Sequence, residues 1–135
     1  MALVLDCSIV AALCFQDEQS TLADRALDLL IEEGAWAPGI WWYELRNVLV
    51  VNERRGRIDS VRTAAFLADL AQLPIEIDHR ADEATVLSIA RQYELSVYDA
   101  AYLELALRRQ AALATLDRKL ADSARRCGVA VFGDS

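Results

Sequence analysis

Short apolar runs alternate with helical patterns along the chain, and this alternation limits the possible folds more than any other feature. Most of the runs are continuous, as in strands that are buried on both faces of a parallel sheet. The sequence therefore predicts an α/β fold, a three-layer α/β/α sandwich with a central parallel sheet of about five strands. The apolar runs cover residues 2–5, 35–38, 74–77, 111–116 and 129–132, and the helical patterns cover residues 8–15, 21–33, 40–55, 61–72, 81–93, 97–110 and 119–126.

Length and composition predict a single domain that spans residues 1–135. The chain has 135 residues and a hydrophobic fraction of 55%, which fits the commonest domain size and argues against disorder. No apolar run reaches the ~18 residues of a membrane span. The opening segment MALVLDCSIVAALCF includes Asp6 and has no Lys or Arg, whereas a signal peptide begins with basic residues. We therefore expect a cytoplasmic protein without a membrane segment.

The net charge restricts the ways in which the chain could bind nucleic acid. It is −7, from 14 basic and 21 acidic residues. A protein that holds nucleic acid by neutralising phosphates is usually basic, so the charge counts against a stable RNA-binding module. It leaves open a nuclease whose acids bind metal ions, and a protein that binds a basic partner.

Two aspartates directly follow predicted strands. Asp6 comes after the run ALVL, and Asp117 comes after the run AALATL. The second run also contains Thr115. Ligands of an open parallel sheet bind beyond the carboxyl ends of its strands, so both aspartates are candidate site residues. Aspartate is also a good helix N-cap, and a helix is predicted after each. Both interpretations remain open at this point.

Two further acids lie on predicted apolar helix faces. Glu44 is about 40° from Ile40 around its helix, and Asp99 is about 60° from Tyr102 around another. Burying an unpaired acid costs several kcal/mol, so each position needs an explanation. A solvated groove would explain Glu44. Ser96 and Asp99 have the spacing of a capping box, which would explain Asp99.

A divalent metal ion would explain all four acids at once. If Asp6, Glu44, Asp99 and Asp117 converge, two of their charges ~4 Å apart repel by about 4 kcal/mol at an effective dielectric constant of 20. No comparable set of lysines or arginines is placed in the sequence to pair with them. Ligands that are all oxygen atoms favour Mg²⁺ or Mn²⁺.

Other acids have similar positions, so a strand end is only a moderate signal. Asp78 and Asp134 also follow apolar runs. Glu104 is predicted to lie on the surface, although its place near Asp99 in the sequence makes it an outside candidate. His79, the only histidine, has no Ser or Cys nucleophile pattern around it.

Four segments give the chain a resemblance to a known family. LDCS, YELRN, LSVYDAAYLELA and LATLDRKL occur in the order and spacing of PIN-domain ribonucleases. The last two segments resemble in particular the toxin subunits of bacterial VapBC toxin–antitoxin pairs. The resemblance implies a metal-dependent endoribonuclease, the toxin of a type II toxin–antitoxin pair, which cleaves RNA phosphodiester bonds with water activated by Mg²⁺ or Mn²⁺.

The resemblance also implies roles for individual residues. The four acids match the acidic quartet that holds one or two Mg²⁺ or Mn²⁺ ions in this family and carries out catalysis. Glu44 could bind metal or orient the attacking water. The residues that match supporting polar positions are Ser8, Asn47 and Thr115.

Partners are implied by the resemblance as well. The family typically forms homodimers and is inhibited by a cognate antitoxin whose tail lies in the active-site groove. Trp41 and Trp42 stand beside Glu44 in the segment WAPGIWWYELRN, and clustered tryptophans indicate core or interface. We expect an apolar patch near Trp41 and Trp42 to receive the tail, with at least one of the rings packed in the core.

Two alternatives to a ribonuclease remain. Another Mg²⁺-dependent phosphohydrolase, of the haloacid dehalogenase type, would have D-x-D after the first strand, but Ser8 occupies the second position. A response-regulator receiver would need a different arrangement around Lys119. A non-enzymatic PIN-like binding module, in which the acids only cap helices and hold a partner, is the second alternative.

Overall fold

The computed structural model describes residues 2–15 and 20–134, and strands and helices alternate through most of this length. Pairs of consecutive helices interrupt this pattern, so the alternation is not strict. The elements are β1 (Leu3–Leu5), α1 (Cys7–Cys14), α2 (Thr21–Glu33), β2 (Ala35–Pro38), α3 (Gly39–Arg54), α4 (Ser60–Leu70), β3 (Ile75–Asp78), α5 (Glu83–Tyr93), α6 (Val97–Arg109), β4 (Ala112–Ala114) and α7 (Arg118–Cys127).

The sheet is parallel throughout, with the strand order β3-β2-β1-β4. In its register Leu3 lies opposite Ala35 on one side and Ala112 on the other. The prediction of an α/β fold with a central parallel sheet is confirmed. Within the described residues the sheet has four strands, since the run 129–132 makes only one isolated parallel bridge, between Val131 and Leu113.

The buried centre of the sheet explains why its strands are apolar. Leu3, Val4 and Leu5 of β1 are all buried, because β1 lies between two other strands and under helices. Helix α6 packs across β1, β2 and β4, and α1 packs against α2 and α3. The carboxyl end of β1 is therefore surrounded by the N-terminal parts of α1, α3 and α6. None of the helices in the described part of the chain is long and apolar enough to cross a membrane.

Local signals in the sequence set where the helices begin and end. Asp59 begins α4 by accepting a hydrogen bond from the backbone N–H of Arg62 at 2.7 Å. Gly34 ends α2 with a φ of +80°, a conformation that favours glycine. A Cβ atom at Gly34 would lie 3.1 Å from the carbonyl oxygen of Pro74. The helix boundaries therefore agree closely with the patterns in the sequence.

Candidate active site

Asp6 lies at the carboxyl end of β1 and is only 8% exposed. Its Oδ2 atom accepts hydrogen bonds from Ser8 Oγ at 2.6 Å and from Thr115 Oγ1 at 2.7 Å. Asp6 is also the N-cap residue of α1, but its side chain makes no capping hydrogen bond. The capping interpretation therefore does not account for this carboxylate.

The two hydroxyl groups connect β1 to the loop after β4. Ser8 Oγ accepts a hydrogen bond from the backbone N–H of Leu116 at 2.8 Å, and Thr115 Oγ1 accepts one from the N–H of Asp117 at 3.0 Å. Each hydroxyl has one proton, which it donates to Asp6, and uses a lone pair for the backbone. This network positions Asp6 and Asp117 relative to each other.

Asp117 begins α7 and is exposed. Its Oδ1 atom accepts hydrogen bonds from the backbone N–H groups of Lys119 at 2.9 Å and Leu120 at 3.2 Å. The capping interpretation is thus correct for Asp117. Its Oδ2 atom makes no bond within the described residues, so a capping Asp117 still has an oxygen for a ligand.

Glu44 lies in the second turn of α3 and is half-buried. The Tyr102 hydroxyl, on α6, donates a hydrogen bond to Glu44 Oε1 at 2.5 Å. Burial raises the pKa of Glu44, the Tyr102 bond opposes this rise, and the charges of Asp6 and Asp99 add to it. Glu44 is therefore close enough to Asp6 and Asp99 to be affected by both charges.

Asp99 lies in the first turn of α6, where Ser96 is the N-cap. Ser96 Oγ accepts its hydrogen bond from the backbone N–H of Asp99 at 3.0 Å, so the cap does not depend on the Asp99 carboxylate. Burial raises the pKa of Asp99, as do the charges of Asp117 and Asp6, while Lys119 lowers it. Asp99 thus shares an electrostatic environment with two strand-end acids.

These four acids form one negatively charged site without a compensating ion pair. In the part of the chain that the structure describes, no arginine or lysine forms a salt bridge with any of them. The nearby Cys7 thiol is protonated at neutral pH, because burial, Asp6 and Glu44 raise its pKa to about 12. The available donors are therefore carboxylate and hydroxyl oxygens.

The donor chemistry of the site fits Mg²⁺ or Mn²⁺. Asp6, Glu44 and Asp117 each use one carboxylate oxygen in the hydrogen bonds described above, and the other is available. Among residues 2–15 and 20–134, however, no three His, Cys, Asp or Glu side chains are arranged to hold a metal ion as they stand. The mutual repulsion of the carboxylates gives a physical reason for them to stay apart without a cation.

The other strand-end acids have cationic partners. Asp78 Oδ2 lies 2.8 Å from Arg108 Nη1 and 2.7 Å from Arg109 Nη2, with the Asp78 side chain 1% exposed. Asp134 pairs with Arg125 at 2.8 Å. The prediction that Glu104 lies on the surface is wrong, since it is 1% exposed and its carboxylate lies 2.7 Å from Arg108 Nε. These acids therefore differ chemically from the quartet.

The predicted tryptophan patch needs a correction. Trp41 is 4% exposed and belongs to the core, so it cannot contribute to a surface patch. Trp42 is 41% exposed, and the guanidinium of Arg46 lies 3.8 Å from its ring centre. The two adjacent residues point to different environments because neighbours on a helix differ by about 100° in direction.

Among the remaining candidates, Asn47 is exposed one turn beyond Glu44, and the described contacts include none for its side chain.

The Tyr102 hydroxyl is a site group that the sequence did not predict, because the periodicity placed Tyr102 only on the apolar face of α6. Its spacing of three residues from Asp99 placed it on the side of the acids. That spacing was the one available signal for its role.

The parallel sheet and the acids at its carboxyl edge place this protein among the α/β proteins that carry an acidic site where their strands end. A model of the PIN domain family matches residues 3–126, and the chain belongs to that family. Ribonuclease VapC3 from Pyrobaculum aerophilum is 32% identical over 125 residues, which cover 90% of this chain and 94% of that relative.

Three solved structures share the fold. PAE2754 from Pyrobaculum aerophilum has a TM-score of 0.73 at 22% identity, with 93% of this chain and 86% of that chain covered. FitAcB from Neisseria gonorrhoeae has a TM-score of 0.70 at 19% identity, with coverages of 97% and 96%. VapC20 from Mycobacterium tuberculosis, described as a toxin that cleaves the sarcin–ricin loop, has a TM-score of 0.62 at 14% identity, with coverages of 90% and 94%.

Proposed function

We propose that this protein is a Mg²⁺- or Mn²⁺-dependent endoribonuclease that acts as the toxin of a type II toxin–antitoxin pair. The observation that carries the proposal is the set of four acids, Asp6, Glu44, Asp99 and Asp117, none of which forms a salt bridge within the described residues. Membership of the PIN domain family and the 32% identity to Ribonuclease VapC3 support ribonuclease activity. The toxin role is supported by the motif resemblance to VapBC toxins.

In this proposal Asp6, Asp99 and Asp117 hold one or two divalent ions, and Glu44 either binds a metal or orients the attacking water. A divalent ion at such a site supplies a more acidic water and positive charge near the phosphate group. The protein's own contribution is to position these carboxylates. Ser8 and Thr115 direct Asp6 through their hydrogen bonds to Oδ2, and Tyr102 directs Glu44.

The proposed partners are RNA, a cognate antitoxin and a second copy of the chain. Trp42 remains as the candidate contact for the antitoxin tail, because its ring is exposed and lies two residues before Glu44.

Tyr43, Val97 and Tyr98 are exposed and line one groove of about 350 Å³ at the starts of α3 and α6. This groove supports the homodimer, which sedimentation of the wild type and of Tyr98→Arg would test. A wild type that sediments as a monomer at high concentration would contradict it.

The ribonuclease proposal is tested by incubating the purified protein with a structured RNA pool in Mg²⁺, in Mn²⁺ and in EDTA. We expect cleavage that requires metal and is lost in Asp99→Asn. Asp28→Asn is the matched control, because Asp28 is an exposed acid on α2 outside the site, and it should cleave like the wild type. Metal-independent cleavage, or equal activity in Asp99→Asn, would contradict the proposal.

A non-enzymatic binding module is the second candidate, and two observations favour it. No three side chains in the described ranges are arranged to hold a metal as they stand, and Asp117 does cap a helix. A thermal-shift titration with Mn²⁺ separates the two functions. A rise in Tm that Asp99→Asn abolishes supports the metal site, whereas no response in either protein supports the binding module.

A further inference from the structure

Two cationic residues follow Asp117 at the start of α7. Arg118 and Lys119 are both exposed. Within the described residues, neither the guanidinium of Arg118 nor the ammonium of Lys119 takes part in a salt bridge, a hydrogen bond or a ring contact. Both charges are therefore available to a ligand.

Several other cations around the carboxyl edge of the sheet already have partners, whereas Arg80, which follows β3, is exposed and has no described side-chain contact. The Arg46 guanidinium lies over the Trp42 ring and donates to the Trp42 carbonyl oxygen at 3.1 Å. The remaining pairs with acids are Arg108 with Asp78 and Glu104, Arg109 with Asp78, and Arg125 with Asp122 and Asp134. A ligand that bound these arginines would compete with existing ion pairs, whereas Arg118 and Lys119 carry no such cost.

Lys119 lies two residues beyond Asp117, in the first turn of α7. Its backbone N–H donates a hydrogen bond to Asp117 Oδ1 at 2.9 Å. Lys119 is the only lysine in the chain.

Arg118 directly follows Asp117 in the sequence. It lines a cleft of about 420 Å³ that also includes Thr115 and Asp117, whereas Lys119 does not line this cleft. The walls of the cleft also include the apolar side chains of Leu22 and Phe132.

We propose that Lys119 and Arg118 bind backbone phosphates of the RNA next to the bond that is cut. This inference rests on the proposed ribonuclease function and names the residues that position its substrate. RNA approaching a chain of net charge −7 meets four carboxylates, and a metal ion offsets that charge only where it binds. The two cations beside Asp117 supply attraction for the phosphates that neighbour the acidic site.

Binding and cleavage should be measured in parallel on the full chain. The binding probe is a short single-stranded RNA of mixed sequence that carries a terminal fluorescein, followed by anisotropy in Ca²⁺ over a range of salt concentrations. The cleavage assay uses the same RNA in Mg²⁺ or Mn²⁺ and separates KM from kcat. The variants are Lys119→Ala, Arg118→Ala and Lys119→Arg. Arg55→Ala is the matched control, because Arg55 is an exposed arginine without described side-chain contacts at the end of α3.

We expect each alanine variant to weaken RNA binding by about five-fold and to reduce the salt dependence of log Kd by about 0.7 per lost phosphate contact. KM should rise more than kcat falls. Lys119→Arg should restore binding, and Arg55→Ala should match the wild type. Unchanged affinity and salt dependence in both alanine variants would overturn the inference, as would an equal loss in Arg55→Ala.

The two proposals fail separately in this design. RNA binding that depends on Lys119 and Arg118, without metal-dependent cleavage, supports the phosphate contacts and contradicts the ribonuclease. If both alanine variants cleave the RNA with the KM and kcat of the wild type, the ribonuclease proposal is supported and the phosphate contacts are contradicted. A wild type that does not bind this RNA at low salt overturns the inference, whatever its cleavage activity.

Discussion

The Tyr102 hydroxyl on α6 donates a hydrogen bond to Glu44 Oε1 on α3 at 2.5 Å. It connects two helices that each carry one acid of the quartet, Asp99 on α6 and Glu44 on α3. Burial and the bond to Glu44 raise the pKa of Tyr102 well above its usual range. The tyrosine is therefore a neutral donor at neutral pH, and it directs Glu44 without adding charge.

Removing this hydroxyl should affect both stability and activity. We expect Tyr102→Phe to lower the free energy of unfolding by about 1 kcal/mol, since Glu44 loses a donor but keeps access to water. The pKa of Glu44 should rise further, because the Tyr102 bond is what lowers it. Urea denaturation and the pH dependence of RNA cleavage measure the two effects. A cleavage profile that does not move would show that Glu44 works independently of Tyr102.

Thr115 is a buried residue whose hydroxyl serves two groups, Asp6 Oδ2 and the N–H of Asp117. Thr115→Val keeps the shape but leaves both groups without this partner, so we expect a loss of about 2 kcal/mol in the free energy of unfolding. Thr115→Ser retains the hydroxyl and should lose less. Denaturation without metal makes the comparison. Equal losses in the two variants would mean that packing of the methyl group, and not the hydroxyl, is important.

Ser96 and Asp99 should have separable roles. Ser96→Ala removes the acceptor for the N–H of Asp99 and should cost about 1 kcal/mol of stability, as for other N-caps. Asp99→Asn keeps that N–H and relieves repulsion, so its stability without metal should equal or exceed that of the wild type. Thermal unfolding with and without Mn²⁺ compares them. Ser96→Ala should retain the metal response and Asp99→Asn should lose it; the reverse pattern would support a purely structural Asp99.

Asp78 should make folding sensitive to acid. The hydrogen bond from Arg108 holds its pKa well below the usual range, with burial opposing and the bonds from Arg80 and Arg109 contributing. A lowered pKa stabilises the fold above the unfolded value of about 3.9, and this stabilisation is lost as the pH falls below it.

Asp78→Asn should accordingly lower the free energy of unfolding by about 3 kcal/mol at neutral pH, because it leaves two partly buried arginines without their shared acid. Its stability should also change less than that of the wild type below about pH 4. Denaturation at several pH values tests both statements. Parallel pH curves for the two proteins would mean that Asp78 contributes nothing to acid sensitivity.

The antitoxin contact can be tested at Trp42. If the tail packs on this exposed ring, Trp42→Ala should weaken antitoxin binding by about 2 kcal/mol, a typical effect for a tryptophan at an interface. Ile31→Ala is a control at another exposed apolar residue, on α2. Calorimetric titration of the antitoxin into each variant gives the affinities. An unchanged affinity in Trp42→Ala would show that the tail binds elsewhere.

Several features of this protein were determined by the sequence itself, because they depend on local patterns or on the order of short motifs along the chain. Apolar runs and helical periodicity predicted the α/β fold, and the structure confirms it. The spacing of Glu44 and Asp99 on their helices placed both acids on inward faces, where they are partly buried. Motif order led to the PIN domain family, which the family model confirms.

Other features were decided only by tertiary packing. Periodicity could not show that Trp41 is buried while Trp42 is exposed. It also could not show that Glu104 on α6 is buried. The Tyr102–Glu44 bond joins residues 58 positions apart, and the Arg108–Asp78 bond joins residues 30 positions apart. Helix propensity and caps are local, whereas such pairs depend on which helices meet over the sheet and how closely. The sequence therefore predicted the candidate acids, and tertiary packing decided that Asp78 and Glu104 pair with arginines.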